Sequence, residues 1–551
     1  MAQSDVRGQE PAVGDGVAPG PQDRTDPEGS RHGGGRRRGG SGAGRPRRRR
    51  RALRWSATVL AVVILGTAGA GYLYYEHLNA SIRKGQRSSG DSAAHKTAPN
   101  AAGQTPLNIL LIGSDSRNSA EDLKLGGSRD SVGGPPNADV QMLIHLSADR
   151  KSAAMVSIPR DTRVDIPKCT DPETGKIYPQ TNDIINTTLA RGGAGCTLST
   201  WEKLTGVYID HWMTIDFSGV VRMADAIGGV DVCVKQNVWD HPTPAQRGGS
   251  GLKLTAGTHK VEGEQALQWL RTRHAWGSDL MRARAQHMYL NSMMRTLRKQ
   301  NVFTDSGRLM DLADAAVKSL KVSEEIGTVK KLYDLGMEMK SVPSDRITSV
   351  TMPNIQDPQD DSHVLPDAAN ADKLWQMLRD DVPLDKNGAA SGSKKQTPAE
   401  PHDSGKTAKA PSTDPARLGV LVQNATQSST EAAVPGRAGA ISQVLAQQGY
   451  ARAAADTSVT QSADKTVVQY PSADLAGDAQ AVAKSLGIPA SSVQQSTGVS
   501  GVTVVVGADW RTGASYPRQS KPKAGDIPDN ADAVNGSDTS QCMDVYKPYR
   551  W

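Results

Sequence analysis

The sequence predicts an α/β protein with two folded domains behind one membrane-crossing helix, and three observations carry that prediction. Within residues 108–161, short apolar runs alternate with acid/arginine turns, NILLIGSDSR, ADVQMLIHLS and SAAMVSIPRD, as strands buried in a sheet do. Strand-like and helix-like stretches go on alternating to Arg379, and resume after a polar gap between LGVLVQNAT and VTVVVGADW. Trp55 to Tyr75, WSATVLAVVILGTAGAGYLYY, holds 21 residues without a charge, the length a helix needs to cross a bilayer.

At 551 residues the chain has room for two or three domains, while two phenylalanines against 55 glycines and 31 prolines point to long unstructured segments. Residues 1–54 read as a disordered, arginine-rich arm: eleven arginines fall between Arg31 and Arg54, and the next acidic residue is Glu76. The net charge of +7 is concentrated there and says little about the folded domains. A flexible basic tail attracts phosphate unspecifically, and no helix-turn-helix signal lies beside it, so no specific nucleic acid is expected as a partner. Residues 55–75 read as the transmembrane helix, with Trp55 at one end and Tyr72, Tyr74 and Tyr75 at the other. The arginines put the N-terminus in the cytoplasm and everything after Glu76 outside a single-pass anchor. Ala68-Gly69-Ala70 resembles a signal-peptidase site, so a cleaved signal sequence is the competing reading. Residues 76–105 read as a polar extracellular spacer.

The main domain is expected over 106–383. Asn108–Ile112, Val140–Leu146 and Ser152–Ile158 read as strands, and each delivers charge at one end: Asp115 and Arg117, Asp139, then Arg160 and Asp161. A single such pair would be an ordinary surface salt bridge. Three in one sheet are joined by GEQALQWLRTRHAWGSDLMRARAQ, which sets Arg271, Arg273, Arg282 and Arg284 around Asp279. Arginine forks fit phosphate oxygens and aspartates among them suit a hard divalent cation, so the set suggests a pyrophosphate site. A short helix is expected at 200–204, a strand at 211–215, a helix at 218–227 closed by Gly228-Gly229, and a strand at 230–234. Apolar spacing at Ala266, Trp269 and Leu270 predicts a helix over 262–273 with Arg271 and Arg273 near its C-terminal end. Ser278 can cap the next helix, 279–298, on which Arg282, Gln286 and Tyr289 share a face. Residues 309–320, 323–339 and 371–379 read as helices around a strand at 347–352. Residues 384–414 are a linker by composition, 415–511 a small α/β domain without clustered chemistry, and 512–551 a polar tail. Cys169 and Cys196 flank one polar excursion and are the favoured pair, leaving Cys233 for Cys542, although four cysteines allow three pairings.

The order GSDSR, an Asp opening a strand, IPRD, IDHW with IDFSG, AIGGVDV, GEQALQWLRTR and D-x-x-R with a following Gln resembles the LytR-CpsA-Psr family over about 107–297, and the second domain resembles the C-terminal domain that often accompanies it. The resemblance implies a central mixed or antiparallel sheet flanked by helices on both faces. It also implies a glycopolymer phosphotransferase, moving a glycan from a polyprenyl pyrophosphate to a muramic acid hydroxyl of peptidoglycan. Asp115 and Asp139 would then hold Mg2+ or Mn2+. Arg117, Arg160, Arg271 and Arg273 would grip the pyrophosphate, with Asn186, Arg282 and Gln286 beside them. Asp161 and Asp279 would orient the arginines or take the acceptor's proton. Two positions depart from the family pattern: Asn137 stands where an arginine is common, and Ala285 precedes Gln286. A transcriptional attenuator and a non-catalytic wall or lipid binder are the alternatives within the family.

Overall fold

The computed structural model describes residues 46–100, 102–115, 120–125, 136–244, 246–300, 305–387, 411–427, 432–457, 462–463, 465–517 and 522–551. The chain forms two units, 1–71 and 72–551. A helix runs Pro46–Ser81, and its Leu53–Ser81 stretch is long and apolar enough to cross a membrane. Its large apolar side chains from Leu53 to Leu73 are exposed, as a lipid-facing surface requires. Residues 1–45 of the arm lie outside the described residues. The last arginines of the tract belong to the helix, not to a disordered arm, because arginine is a good helix former and propagation from a formed span is favourable.

In the second unit the described residues build an eight-stranded mixed sheet. Its order is Arg83–Gly85, Leu320–Ser323, His211–Ile215, Leu107–Ser114, Ala138–Leu146, Ala153–Ser157, Ile347–Thr351 and Val534–Asn535. Side-chain alternation gives the sheet two apolar faces. Leu110, Ile112, Leu143, Val156 and Val350 pack with Trp201 of the Thr188–Thr205 helix and Trp375 of the Ala368–Arg379 helix. Met142, Leu146, Met155 and Ile347 pack on the other side with Leu290 and Met294 of the Asp279–Lys299 helix and Met339 of the Val329–Ser341 helix. The result is the three-layered α/β/α arrangement. Both disulfides follow the favoured pairing, Cys169–Cys196 and Cys233–Cys542.

Three segments differ from their sequence reading. Residues 76–105 are not a simple spacer. Leu78 and Ile82 are buried against Val317 and Val322, Arg83–Gly85 joins the sheet edge, and Arg87 pairs with Glu202 at 2.9 Å. Backbone ladders hold this stretch, and composition does not record them. Leu320–Ser323 is a strand at the junction of two expected helices, taking the last residue of 309–320 and the first of 323–339, and the second helix starts only at Val329, capped by the Thr328 hydroxyl accepting from Lys331 N. The expected helix at 200–204 spans Thr188–Thr205, broken at Gly192–Gly193, where Gly193 takes φ 67°.

Beyond residues 388–410, which are outside the described set, Arg452–Asp456, Gly419–Asn424, Val502–Val506, Val467–Tyr470 and Val493–Gln495 form a five-stranded sheet with its own core. The polar tail then returns to the main domain as a strap. Val534–Asn535 pairs with Ile347–Thr351, and Cys542 bonds Cys233. Met543, Val545 and Tyr549 enter the core around Val232 and Trp276. These apolar residues occur singly, so no periodicity announces them.

Candidate active site

The site begins where two antiparallel strands end. Gly113 pairs with Val140, but Ser114 pairs with Ala138, so Asp139 is the extra residue of a β-bulge. Such a bulge re-aims the side chain it carries. Gly113 is required beside it, since a Cβ there would stand 2.9 Å from the Val140 Cβ. Asp115 follows the first strand, and its carboxylate accepts from Asn137 N at 2.6 Å and from the Asn137 amide at 3.4 Å. Asn137, one of the two departures from the family pattern, thus braces the first of the two aspartates expected to hold a metal.

Arg160 leaves the Ala153–Ser157 strand in a turn tied down on several sides. Thr162 donates backbone N–H and hydroxyl to Pro159 O, Asn186 N donates to Arg160 O at 3.2 Å, and Val364 N donates to Asp161 O. The Arg160 guanidinium donates to Asp139 Oδ1 at 2.8 Å, and its Nε lies 3.4 Å from Asp161 Oδ1 and 3.9 Å from Asp279 Oδ1. Burial opposes its charge, but Asp139, Asp161 and Asp279 outweigh that and hold its pKa above the ordinary arginine value.

Asp279 opens its helix behind the Ser278 cap, where a carboxylate also complements the helix dipole. Its Oδ1 meets three guanidiniums, Arg282 at 2.8 Å, Arg273 at 3.8 Å and Arg160. Burial pushes the Arg282 pKa down; Asp279 and Asp139 counter it, and Arg160 and Arg273 add to it. Arg160 Nε, Asp279 Oδ1 and Asn186 Oδ1 are buried without a well-formed hydrogen bond. The unspent Arg160 donor, in a cluster rich in arginine, is the group from which an anionic ligand gains most.

The structure therefore joins Asp139, Arg160, Asp161, Arg273, Asp279 and Arg282 in one network, with Asp115 at the neighbouring strand end and Asn186 holding the Arg160 backbone. Arg271 is engaged elsewhere: it donates to Leu125 O at 2.7 Å and lies 4.6 Å over the Phe217 ring. Gln286 donates its amide to Leu270 O, securing the end of the Gly263–Arg271 helix instead of reaching the cluster. Arg117 lies outside the described residues. Ala285, the second departure, is fully buried, and its carbonyl accepts from the Trp269 indole. Arg284 turns to the tail, pairing with Asp532 and Gln541. The tail also supports the loop between the arginines and Asp279: Tyr546 N donates to Ala275 O at 2.7 Å and its ring side faces Gly277. Sequence reading missed this support, since it took residues 512–551 as a polar tail marked only by Cys542.

Among the described residues no group of three or more His, Cys, Asp and Glu gathers into a metal cage. Asp115 and Asp139 nonetheless fit Mg2+, which commonly takes one or two carboxylates and fills its other positions with water and phosphate oxygens.

A family model described as the LytR_cpsA_psr family matches residues 72–380, and one described as LytR cell envelope-related transcriptional attenuator matches 417–510. The cell wall biosynthesis protein LcpA of Corynebacterium glutamicum is 27% identical over 317 residues, 53% of this chain and 58% of that protein. The polyisoprenyl-teichoic acid–peptidoglycan teichoic acid transferase TagT of Bacillus subtilis is 26% identical over 294 residues, 53% of this chain and 84% of that protein. The chain spans 58% and 50% of the length of the two Corynebacterium relatives, LcpA and LcpB. Among solved structures, a LytR-Csp2A-Psr enzyme from Actinomyces oris aligns with TM-score 0.40 and 16% identity, covering 54% of this chain and 95% of that one.

Proposed function

The chain belongs to the LytR-CpsA-Psr family, and on that premise we propose that it is a membrane-anchored phosphotransferase attaching a glycopolymer to peptidoglycan. The observation that carries the reading is the Arg160–Asp279 network, where Arg160, Arg273 and Arg282 converge on one buried carboxylate oxygen beside two strand-end aspartates. The donor is a glycan on a polyprenyl pyrophosphate, held near the membrane by the Leu53–Ser81 span, with the N-terminus cytoplasmic and the folded domains outside.

In this mechanism the pyrophosphate oxygens take up the unspent Arg160 Nε and the forks of Arg273 and Arg282, loosening their hold on Asp279. The family resemblance assigns further pyrophosphate contacts to Arg271 and Arg117. Mg2+ or Mn2+, held by Asp115 and Asp139, would supply charge neutralisation to the pyrophosphate. A muramic acid hydroxyl oxygen bonds to the glycan-bearing phosphorus, and the bond from that phosphorus to the bridging oxygen breaks. Polyprenyl phosphate leaves, and the hydroxyl proton passes to Asp161 or Asp279 and then to solvent. Little covalent work falls to the protein; its share is positioning and charge.

The test is release of polyprenyl phosphate by the full chain in detergent, from a glycan-loaded polyprenyl pyrophosphate with peptidoglycan oligomer and Mg2+. Product formation lost in Asp139→Ala and Arg160→Ala is the expected result. Undiminished product in both variants would overturn the site, and donor binding without product for any glycan would favour a non-catalytic binder.

A further inference from the structure

Away from the ion network, the tail and the main domain build a surface of rings. Trp239, Tyr546 and Trp551 are exposed by 40%, 55% and 53%, unusual for three such side chains in one neighbourhood. They are connected by ring contacts. Lys253 Nζ sits 4.6 Å from the Trp551 ring and 4.7 Å from the Trp239 ring. Trp239 stacks on His241 at 4.2 Å, His241 meets Tyr549 at 5.9 Å, and Tyr549 stacks on His274 at 6.2 Å. Tyr546 stands 6.4 Å from Tyr549. His274 is the residue after Arg273 and belongs to the turn that leads to Asp279. One end of the track thus touches the arginine loop, and the other borders a shallow, open hollow lined by Lys253, His259, Lys260, Gln265 and Trp551.

We propose that this track is the docking surface for the sugar strand of the acceptor, guiding it toward the Arg273–Asp279 loop. The identity of the acceptor rests on the transferase reading above. A pyranose presents an apolar C–H face and a polar rim, and it is matched by an exposed ring flanked by hydrogen-bonding side chains. Trp551 and Tyr546 are more than half exposed, while Lys253 and Gln265 supply donors at the rim. Charge agrees as well: Lys253 and Lys260 favour a wall strand carrying carboxylates. Position is the strongest argument, because the acceptor hydroxyl must arrive at the phosphate-binding network from a surface continuous with it, and the track ends one residue from Arg273.

The test titrates the full chain in detergent with a peptidoglycan glycan tetrasaccharide lacking stem peptides, read by calorimetry, beside acceptor KM in the transfer assay. Trp551→Ala with Trp239→Ala, and separately Lys253→Ala, are expected to weaken tetrasaccharide binding about tenfold and raise acceptor KM, with kcat nearly unchanged. Arg273→Ala should abolish turnover yet bind the tetrasaccharide as the parent does. Tetrasaccharide binding without turnover in the parent would leave the track standing and remove the transferase reading. Turnover with unaltered acceptor KM in both ring and lysine variants would remove the track alone. Binding to anionic vesicles in place of the tetrasaccharide, abolished by the same variants, would reassign the surface to lipid and overturn the proposal.

Discussion

Arg160 is partly buried and answers to Asp139, Asp161 and Asp279 at once, as Asp279 answers to three guanidiniums. Arg160→Ala is expected to lower kcat by about 10²–10³-fold, in the range of removing one transition-state donor, and Arg160→Lys to recover only part of it because the fork geometry is lost. Steady-state kinetics at saturating donor decides this. His287 makes a different prediction. It is wholly buried, both ring nitrogens lack a partner, and burial, with a smaller push from Arg284, drives its pKa from 6.5 to about 3. The unfolded chain therefore takes up a proton first as the pH falls, so stability held above 6.5 drains away toward 3. His287→Leu should flatten the fall of Tm with acidification, measured calorimetrically between about pH 7 and 4.5; an unchanged slope would refute that origin. Sequence reading found the charged members of the site because Asp and Arg at strand ends are visible as types in a pattern. It could not see that Arg271 turns to Leu125 or that Gln286 serves Leu270, since Arg271 lies two residues before Arg273 and Gln286 shares a helix face with Arg282, and both neighbours do reach the network.

The elements explain why these side chains converge. The Asp139 bulge and the Ser278 cap aim two carboxylates at one guanidinium from different parts of the fold. Between the arginines and Asp279 lies a short turn closed by Gly277 at φ 86°, a conformation that costs a residue with a Cβ about 1–2 kcal/mol. A Cβ at Gly277 would meet Tyr546 only at ordinary contact distance, so backbone strain is the main expected effect. Gly277→Ala should lower Tm by a few degrees and kcat more than KM, checked by calorimetry and kinetics on one preparation. The strands with continuous apolar runs were legible, as was the capped Asp279 helix. The edge strand Arg83–Gly85 and Leu320–Ser323 were not, for they are short and polar and become strands only through a neighbour's backbone.

At the scale of the molecule, the main sheet ends on a strand supplied by residues beyond the second domain. Cutting the chain after residue 387 would strip Val534–Asn535 from the sheet, Asp532 and Gln541 from Arg284, and Tyr546 from the arginine loop. Such a truncation is expected to melt well below the parent, whereas replacing 415–511 by a flexible linker that keeps Cys542 should retain most of the Tm and activity. Cys542→Ser should cost about 2–5 kcal/mol, the usual range for a native disulfide, read as a drop in the chemical-denaturation midpoint. This long-range closure was visible only as an even cysteine count, because strap contacts have no local signature. The bond between Cys233 and Cys542 also imposes a timetable. A ribosome makes Cys233 309 residues before its partner, while Cys169 and Cys196, separated by 27, can pair early. Throughout that interval Cys233 waits as the odd thiol in the nascent chain, and the buttress behind the arginine loop is missing. The charged cluster does not gain its clasp until nearly all of the chain has been synthesised, so a chain cut short in the second domain carries the charged side chains but not the clasp that sets them.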